Sequence, residues 1–435
     1  MTRIVCAPLF CTSLFRSIGV RFERVAFILA LLFSITAIAE PHILPPDNGL
    51  RPEQLGIVIN DDDPLSVQIG NYYQQRRKIP AENVVHLRFA HERSELSPGE
   101  FAVQKKILDD RLPGSVQALA LTWAAPYRVG CMSITAAFAF GFDTRYCASG
   151  CAFTAMSDYV GSNSRKPFDD LHIRPAMMLA ARDFPAATAL IERGIAADAS
   201  LPEGAAYLLE TSDAARSARK VFYADTRRAF NALLPVNVLQ SNTLKNTRDV
   251  MFYFTGLVQV PDIETNHFLP GAVADHLTSF GGQLTDSSQM SALRWLEAGA
   301  TGSYGTVAEP CAFTQKFPNP ALMIQHYLAG ETLIEAYWKS VAMPGQGVFI
   351  GEPLARPYGA YRVRQQNGRW YVYGDALQPG NYEVLAADRV DGPFERIASA
   401  QQVSPLFRTL ELPLPLRAYY RLQRIDMIDL FAPSK

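Results

Sequence analysis

Residues 251–357 decide the fold. They contain MFYFTGLVQV from Met251, LPGAVADHLTSFGG from Leu269, WLEAGATGSYGTVAEPC from Trp295, GETLIEAYWKS from Gly330 and GVFIGEPLARP from Gly347. Three of these apolar runs end in clusters of Gly, Thr, Ser, His or Glu. Strands buried on both faces of a parallel sheet read as continuous apolar runs, and open α/β sheets place their sites at the carboxyl ends of such strands. The stretch therefore predicts a parallel sheet with a functional rim at Thr255-Gly256, at His276 to Gly282 and at Glu309 to Cys311.

The chain before this stretch keeps a β-α rhythm. Leu55 to Ile59 is a buried-type strand that ends at Asp61-Asp62-Asp63-Pro64. Asp63 suits an N-cap, and Pro64 suits the first helical position of a helix running through Arg77. Strands are expected at 83–89, 118–123, 177–181 and 205–209. Helices are expected at 104–112, 186–197 and 212–234, the last with many arginines on its outer face. This pattern implies right-handed crossovers in a mostly parallel sheet. After Pro357 the period changes to two. Asn367-Gly368 and Asp391-Gly392 are hairpin signals. The expected architecture is an α/β domain over 40–357 followed by a small antiparallel β-sandwich over 358–435.

Of the 435 residues, 48% are hydrophobic and 19% charged, as in globular proteins, and the length calls for more than one domain. The formal net charge of −1 supplies no basic field for nucleic acid. Arg16, Arg21 and Arg24 precede an apolar run from Val25 to Ile38, and Ala37-Ile38-Ala39 fits a signal-peptidase site with Glu40 as first mature residue. The run falls short of a spanning helix. Residues 1–39 thus read as a signal peptide, an uncleaved anchor being the other reading. The mature chain would be periplasmic or extracellular, with no membrane span. Four cysteines would remain: Cys131, Cys147, Cys151 and Cys311. In an oxidising compartment an even number favours disulfides, with three possible pairings; a Cys147–Cys151 bridge would close a small local loop. Their spacing is not that of a zinc site, so no metal is expected.

Candidate chemistry lies on the rim. In a strand, neighbouring residues face opposite sides, so Asp275 and Leu277 share one face and His276 and Thr278 the other. A hydrolytic arrangement would use His276 as general base, Ser279 or Cys311 as nucleophile and Glu309 as orienter. Gly281 and Gly282 would supply backbone N–H groups. Thr255, Gly256, Thr278, Gly281 and Tyr304 are candidate ligand-binding residues. A core histidine at 276, a helix-capping Ser279 and a disulfide at Cys311 are the plainer alternatives. Asp262, Glu264 and His267 form a possible cation loop, and a solvated acidic loop is the commoner explanation for such residues. No phosphate-loop motif occurs, and no cofactor is implied.

Two resemblances rest on these strings. The S-x-x-I-x-x-Y-Y and RKIP-x-x-N-V segments after Pro64 resemble a family of secreted bacterial proteins with no assigned activity, as do LPGAVADHLTSFGG, LRWLEAGATGSYGTVAEPC, KFPNP, GETLIEAYWKSV and GQGVFIGEPLARP. More distantly, 251–357 resembles the core of caspase–haemoglobinase-fold cysteine peptidases of the gingipain-like group. Ala300 to Val307 matches their Gly-Ala strand, and Gly351-Glu352-Pro353 matches their Gly-Asp-Pro. Their His-Gly becomes Thr255-Gly256, and their cysteine falls on His276 or Ser279. The resemblance implies a peptidase-like fold without the His/Cys dyad. The expected function is binding of a peptide or polymer at the sheet edge, the alternatives being a hydrolase with a rebuilt site or a structural envelope protein.

Overall fold

The computed structural model describes residues 40–148, 150–404 and 408–425. The signal-peptide reading of 1–39 lies outside them. From Pro41 the described residues form one unit.

Ten strands build the main sheet. They are β1 (Leu55–Asn60), β2 (Val84–Leu87), β3 (Ala118–Leu121), β4 (Ala176–Met178), β5 (Ala205–Glu210), β6 (Val236–Gln240), β7 (Val250–Thr255), β8 (Phe268–His276), β9 (Gly302–Thr306) and β10 (Gly347–Gly351). Their order is β6-β5-β7-β8-β9-β10-β4-β3-β1-β2. β1, β3, β7, β9 and β10 are buried along their whole length, as a sheet covered on both faces requires.

The sheet is mostly parallel, but it is two parallel halves joined by one antiparallel seam. β6, β5, β7, β8 and β9 run one way. β10, β4, β3, β1 and β2 run the other way. β9 meets β10 antiparallel, with Gly302 opposite Gly351 and Thr306 opposite Gly347. The Gly351-Glu352-Pro353 turn therefore sits at the amino end of β9, across the sheet from His276. Asp61 to Asp63 likewise end a strand of the opposite half. Both therefore lie at the opposite end of the sheet from the rim of Thr255, His276 and Glu309.

Helices cover the sheet. α1 (Pro64–Arg77) starts as the sequence indicates: the Asp63 carboxylate accepts from the Leu65 N–H at 2.9 Å, and Lys78 closes the helix in the left-handed region. α2 (Pro98–Arg111) begins earlier than expected, on a Ser97–Glu100 capping box. α3 (Phe184–Ala197) buries Leu190, Ile191 and Gly194. The expected helix over 212–234 is divided. Residues Arg216–Phe222 form a 3-10 turn and α4 spans only Tyr223–Phe230. α5 (Pro320–Leu328) and α6 (Leu333–Ser340) follow β9. Glu352 is buried against α1 and α3; it accepts hydrogen bonds from Tyr73 at 2.5 Å and from two nitrogens of Arg77 at 2.6 and 2.9 Å.

Beyond Pro357 two small sheets share a second core that includes Val372, Val384, Leu410, Tyr420 and Leu422. One pairs Arg362–Gln366, Arg369–Tyr373 and Thr409–Glu411; the other contains Gly380–Ala387, Glu395–Val403 and Tyr419–Ile425. Asn367 and Gly368 take φ of 52° and 77°, the positive values a two-residue hairpin needs. His42–Ile43 joins the second sheet in parallel beside Tyr419 and Tyr420, so the lead-in segment completes the C-terminal unit.

Candidate functional site

β7, β8 and β9 bring the predicted rim residues to one edge, with Thr255 opposite His276 in register. Their environments differ from what a hydrolytic site needs. His276 is 0% exposed. Its Nδ1 accepts the Trp295 indole N–H at 2.9 Å, and its Nε2 therefore carries the proton and donates to the Met290 carbonyl at 3.1 Å. Burial, followed by the positive charge of Arg219, lowers its pKa to about 3. The ring is neutral with both nitrogens committed, so it is a hydrogen-bonded core histidine and has no lone pair free to act as a base.

The other catalytic candidates are dispersed by the same edge. Cys311 is joined to Cys151, and Cys131 to Cys147, so the local Cys147–Cys151 loop is not formed and Cys311 carries no free thiol. Glu309 is exposed, and its carboxylate accepts from the Cys311 N–H at 2.8 Å, which shapes the turn. The Ser279 hydroxyl is half-buried and has no described partner, so nothing is placed to take its proton.

The expected ligand-binding residues serve the fold. A Cβ on Gly256 would lie 1.9 Å from the Arg216 carbonyl oxygen; this glycine is required because backbone packs against backbone there. The Thr211 hydroxyl donates to the Gly256 carbonyl at 2.7 Å. Since β5 and β7 flank the point where the winding of this half reverses, these contacts close the crevice that such a reversal usually opens. Gly281 is buried, and Gly282 donates its N–H to Thr306 and abuts the Gly305 backbone. Tyr304 is buried over Gly347 and donates to the Lys316 carbonyl at 2.6 Å. Thr255 is buried, and its carbonyl accepts from Arg219 at 2.7 Å.

Half-buried Arg216 and Gln289 form a short polar strip at this edge, linked through the buried Thr278. Arg216 donates through Nε to the Thr278 hydroxyl at 3.2 Å and pairs through Nη1 with Asp213 at 2.8 Å. Thr278 donates to Gln289 at 2.6 Å, and the same Gln289 oxygen accepts from the Phe280 N–H at 2.9 Å. Beneath it lies a buried ion pair, Arg219 with Asp275 at 2.5 Å. Burial raises the Asp275 pKa against the opposing attraction of Arg219. Arg227 and Arg228 face outward as expected of 212–234, but Arg219 is 0% exposed, because a 3-10 turn carries about 3.0 residues per turn and shifts the helical phase. Arg219 and Trp295 had no motif to mark them; only their partners reveal their part.

The suggested cation loop is likewise divided among separate partners. His267 lies 3.0 Å from the Arg248 carbonyl, Asp262 accepts from Thr243, and Glu264 pairs with Arg294. Among the described residues no group of three or more His, Cys, Asp and Glu is gathered for a metal. No described helix is long and apolar enough to cross a membrane. Clefts away from this edge include a shallow one of about 550 Å³ beside Asp47, Gly49 and Arg165 and two others. One, of about 380 Å³, is bounded by Leu201, Gly204, Asp249 and Arg362; the other, of about 590 Å³, by residues that include Arg165, His326, Tyr361 and Tyr382.

No family model matches this chain, so the resemblance to a secreted bacterial family gains no support. No curated protein matches it either. Among solved structures, it is similar to the crystal structure of the Arg-specific cysteine proteinase gingipain R, with a TM-score of 0.40 and 9% sequence identity over 85% of this chain and 98% of that one. A likeness of that degree assigns no residue a role.

Proposed function

We propose that this is an exported α/β protein that holds a peptide or other polymer along the carboxyl edge of β7 to β9 without cleaving it. One observation carries the reading: His276 has both nitrogens committed inside the core while Cys311 is tied to Cys151. Two disulfides favour an oxidising compartment. The groups left to meet a ligand are Arg216, Gln289 and Ser279, hydrogen-bonding side chains without an assembled base and nucleophile. Ser279 without a base also removes the support for a rebuilt serine hydrolase.

The test uses the oxidised full chain after signal removal. A random peptide library and soluble polysaccharides are incubated with it, and products are sought by mass spectrometry while binding is followed by fluorescence anisotropy. The reading expects retention of a polymer without product, weakened by Arg216→Ala. Turnover that survives in a His276→Gln variant would overturn the claim that no chemistry occurs; binding indifferent to Arg216→Ala would remove the edge as its seat.

A further inference from the structure

The cleft of about 590 Å³ lies between the 163–166 loop, the end of α5 and the last strand of the C-terminal unit. Its size is in the range of small-ligand sites, roughly 300–1,000 Å³. Its chemistry differs from that of the apolar cores on either side, because side chains with unused hydrogen-bonding capacity converge on it.

Arg165 is exposed and makes no ion pair or hydrogen bond with any described residue. Its charge bears on the hydroxyls of both Tyr361 and Tyr382. The Tyr361 hydroxyl has no described partner. Tyr382 donates to the Gln378 carbonyl at 2.9 Å and retains its acceptor lone pairs. His326 is 4% exposed; its Nδ1 lies 3.2 Å from Glu331, and its Nε2 has no partner among the described residues. Because Glu331 is held by Lys339 at 2.9 Å, it is kept as a carboxylate that accepts from Nδ1–H. In the neutral ring, Nε2 is then left as an acceptor.

Two acids on the wall are already paired, Glu331 as above and Asp47 with Arg51 at 2.9 Å. Asp170 accepts from Ser164 at 2.6 Å. Cations outnumber acids on this wall, Arg165, Lys166, Arg421 and Arg424 against Asp47, Asp170 and Glu331, and Arg165 is a cation there without an ion pair to any described residue. A guanidinium selects a carboxylate, phenol and imidazole groups select hydroxyls, and tyrosine rings offer apolar faces beside polar tips. A ligand that carries carboxylates, many hydroxyls and C–H faces together is an acidic sugar chain.

We infer that this cleft binds a carboxylated oligosaccharide, with Arg165 on the carboxylate and Tyr361, Tyr382 and His326 on the hydroxyls. The inference goes beyond the edge-binding reading and uses none of its residues.

The test is calorimetric titration of the oxidised full chain with tetragalacturonate and, separately, with neutral maltotetraose. Tetragalacturonate is expected to bind, with maltotetraose at least about tenfold weaker. Arg165→Ala should cost about 10- to 100-fold, the usual worth of a charged hydrogen bond. Tyr361→Phe, which keeps the ring, should cost a smaller factor, and Arg216→Ala should leave this affinity unchanged. Arg165 is exposed, so its variant should keep the parent melting temperature. Equal binding of both sugars, no binding of either, an Arg165→Ala variant that binds as the parent does, or displacement of the tetrasaccharide by millimolar acetate or phosphate would each overturn the inference.

Discussion

Trp295 donates its indole N–H to Nδ1 of His276 at 2.9 Å, and that bond determines which nitrogen of the imidazole carries the proton. Trp295→Phe keeps most of the volume but leaves Nδ1 buried without a donor. The expected cost is about 1–3 kcal/mol, read from urea unfolding at pH 7. An unchanged midpoint would mean that the bond is not made in solution.

The same histidine makes stability depend on pH. Its ordinary pKa of 6.5 falls to about 3 in the folded chain, so between those values the unfolded chain binds the extra proton. This contribution is complete above about pH 6.5 and is lost as pH falls toward 3. His276→Gln should flatten that limb of the stability profile. In NMR, the His276 ring signals should stay constant from pH 5 to 8.

Arg219 and Asp275 form a pair in which Arg219 Nε and Asp275 Oδ2 have no hydrogen-bond partner among the described residues. Removing the cation leaves a carboxylate alone in the core. Arg219→Met should cost about 3–5 kcal/mol at pH 7. Without Arg219 the Asp275 pKa rises further above its unfolded value, so the folded chain gains a proton as pH falls. The penalty should therefore shrink toward pH 5, which chemical denaturation at the two pH values would show.

Gly256→Ala places a methyl group 1.9 Å from the Arg216 carbonyl oxygen, a backbone atom that cannot rotate away. The expected loss is about 3 kcal/mol or more, at the upper end of overpacking costs. A variant as stable as the parent would show that the crevice between β5 and β7 is open.

Non-reducing peptide mapping should recover the pairs Cys131–Cys147 and Cys151–Cys311 and no others. The first closes a separation of 16 residues and the second one of 160. On chain entropy alone their removal costs about 3 and about 5 kcal/mol, so Cys151→Ser with Cys311→Ser should lower the melting temperature more than the other double variant.

Local features of the chain were legible wherever the physical cause was local. The Asp63-Pro64 start of α1 needs only a short acceptor and a preset φ, and Asn367-Gly368 needs only two residues tolerant of positive φ. The alternation at Asp275 and His276 placed them on opposite faces because a strand has period two, and the structure gives them separate partners, Arg219 and Trp295. The rim was less legible: its glycines suggested room for a ligand, but the same absence of Cβ at Gly256 and Gly282 is used for close backbone packing.

By itself, then, the sequence determined the apolar strands, the start of α1, the even cysteine count and the change of period after Pro357, since period, capping and turn geometry act over a few residues. Only the tertiary structure decided that β10 runs against β9, that Cys311 meets Cys151, that Arg219 turns inward and that His276 is sealed. Those outcomes depend on which distant segments meet and in which direction. Burial and hydrogen-bond partners are properties of that meeting and leave no local pattern in the chain.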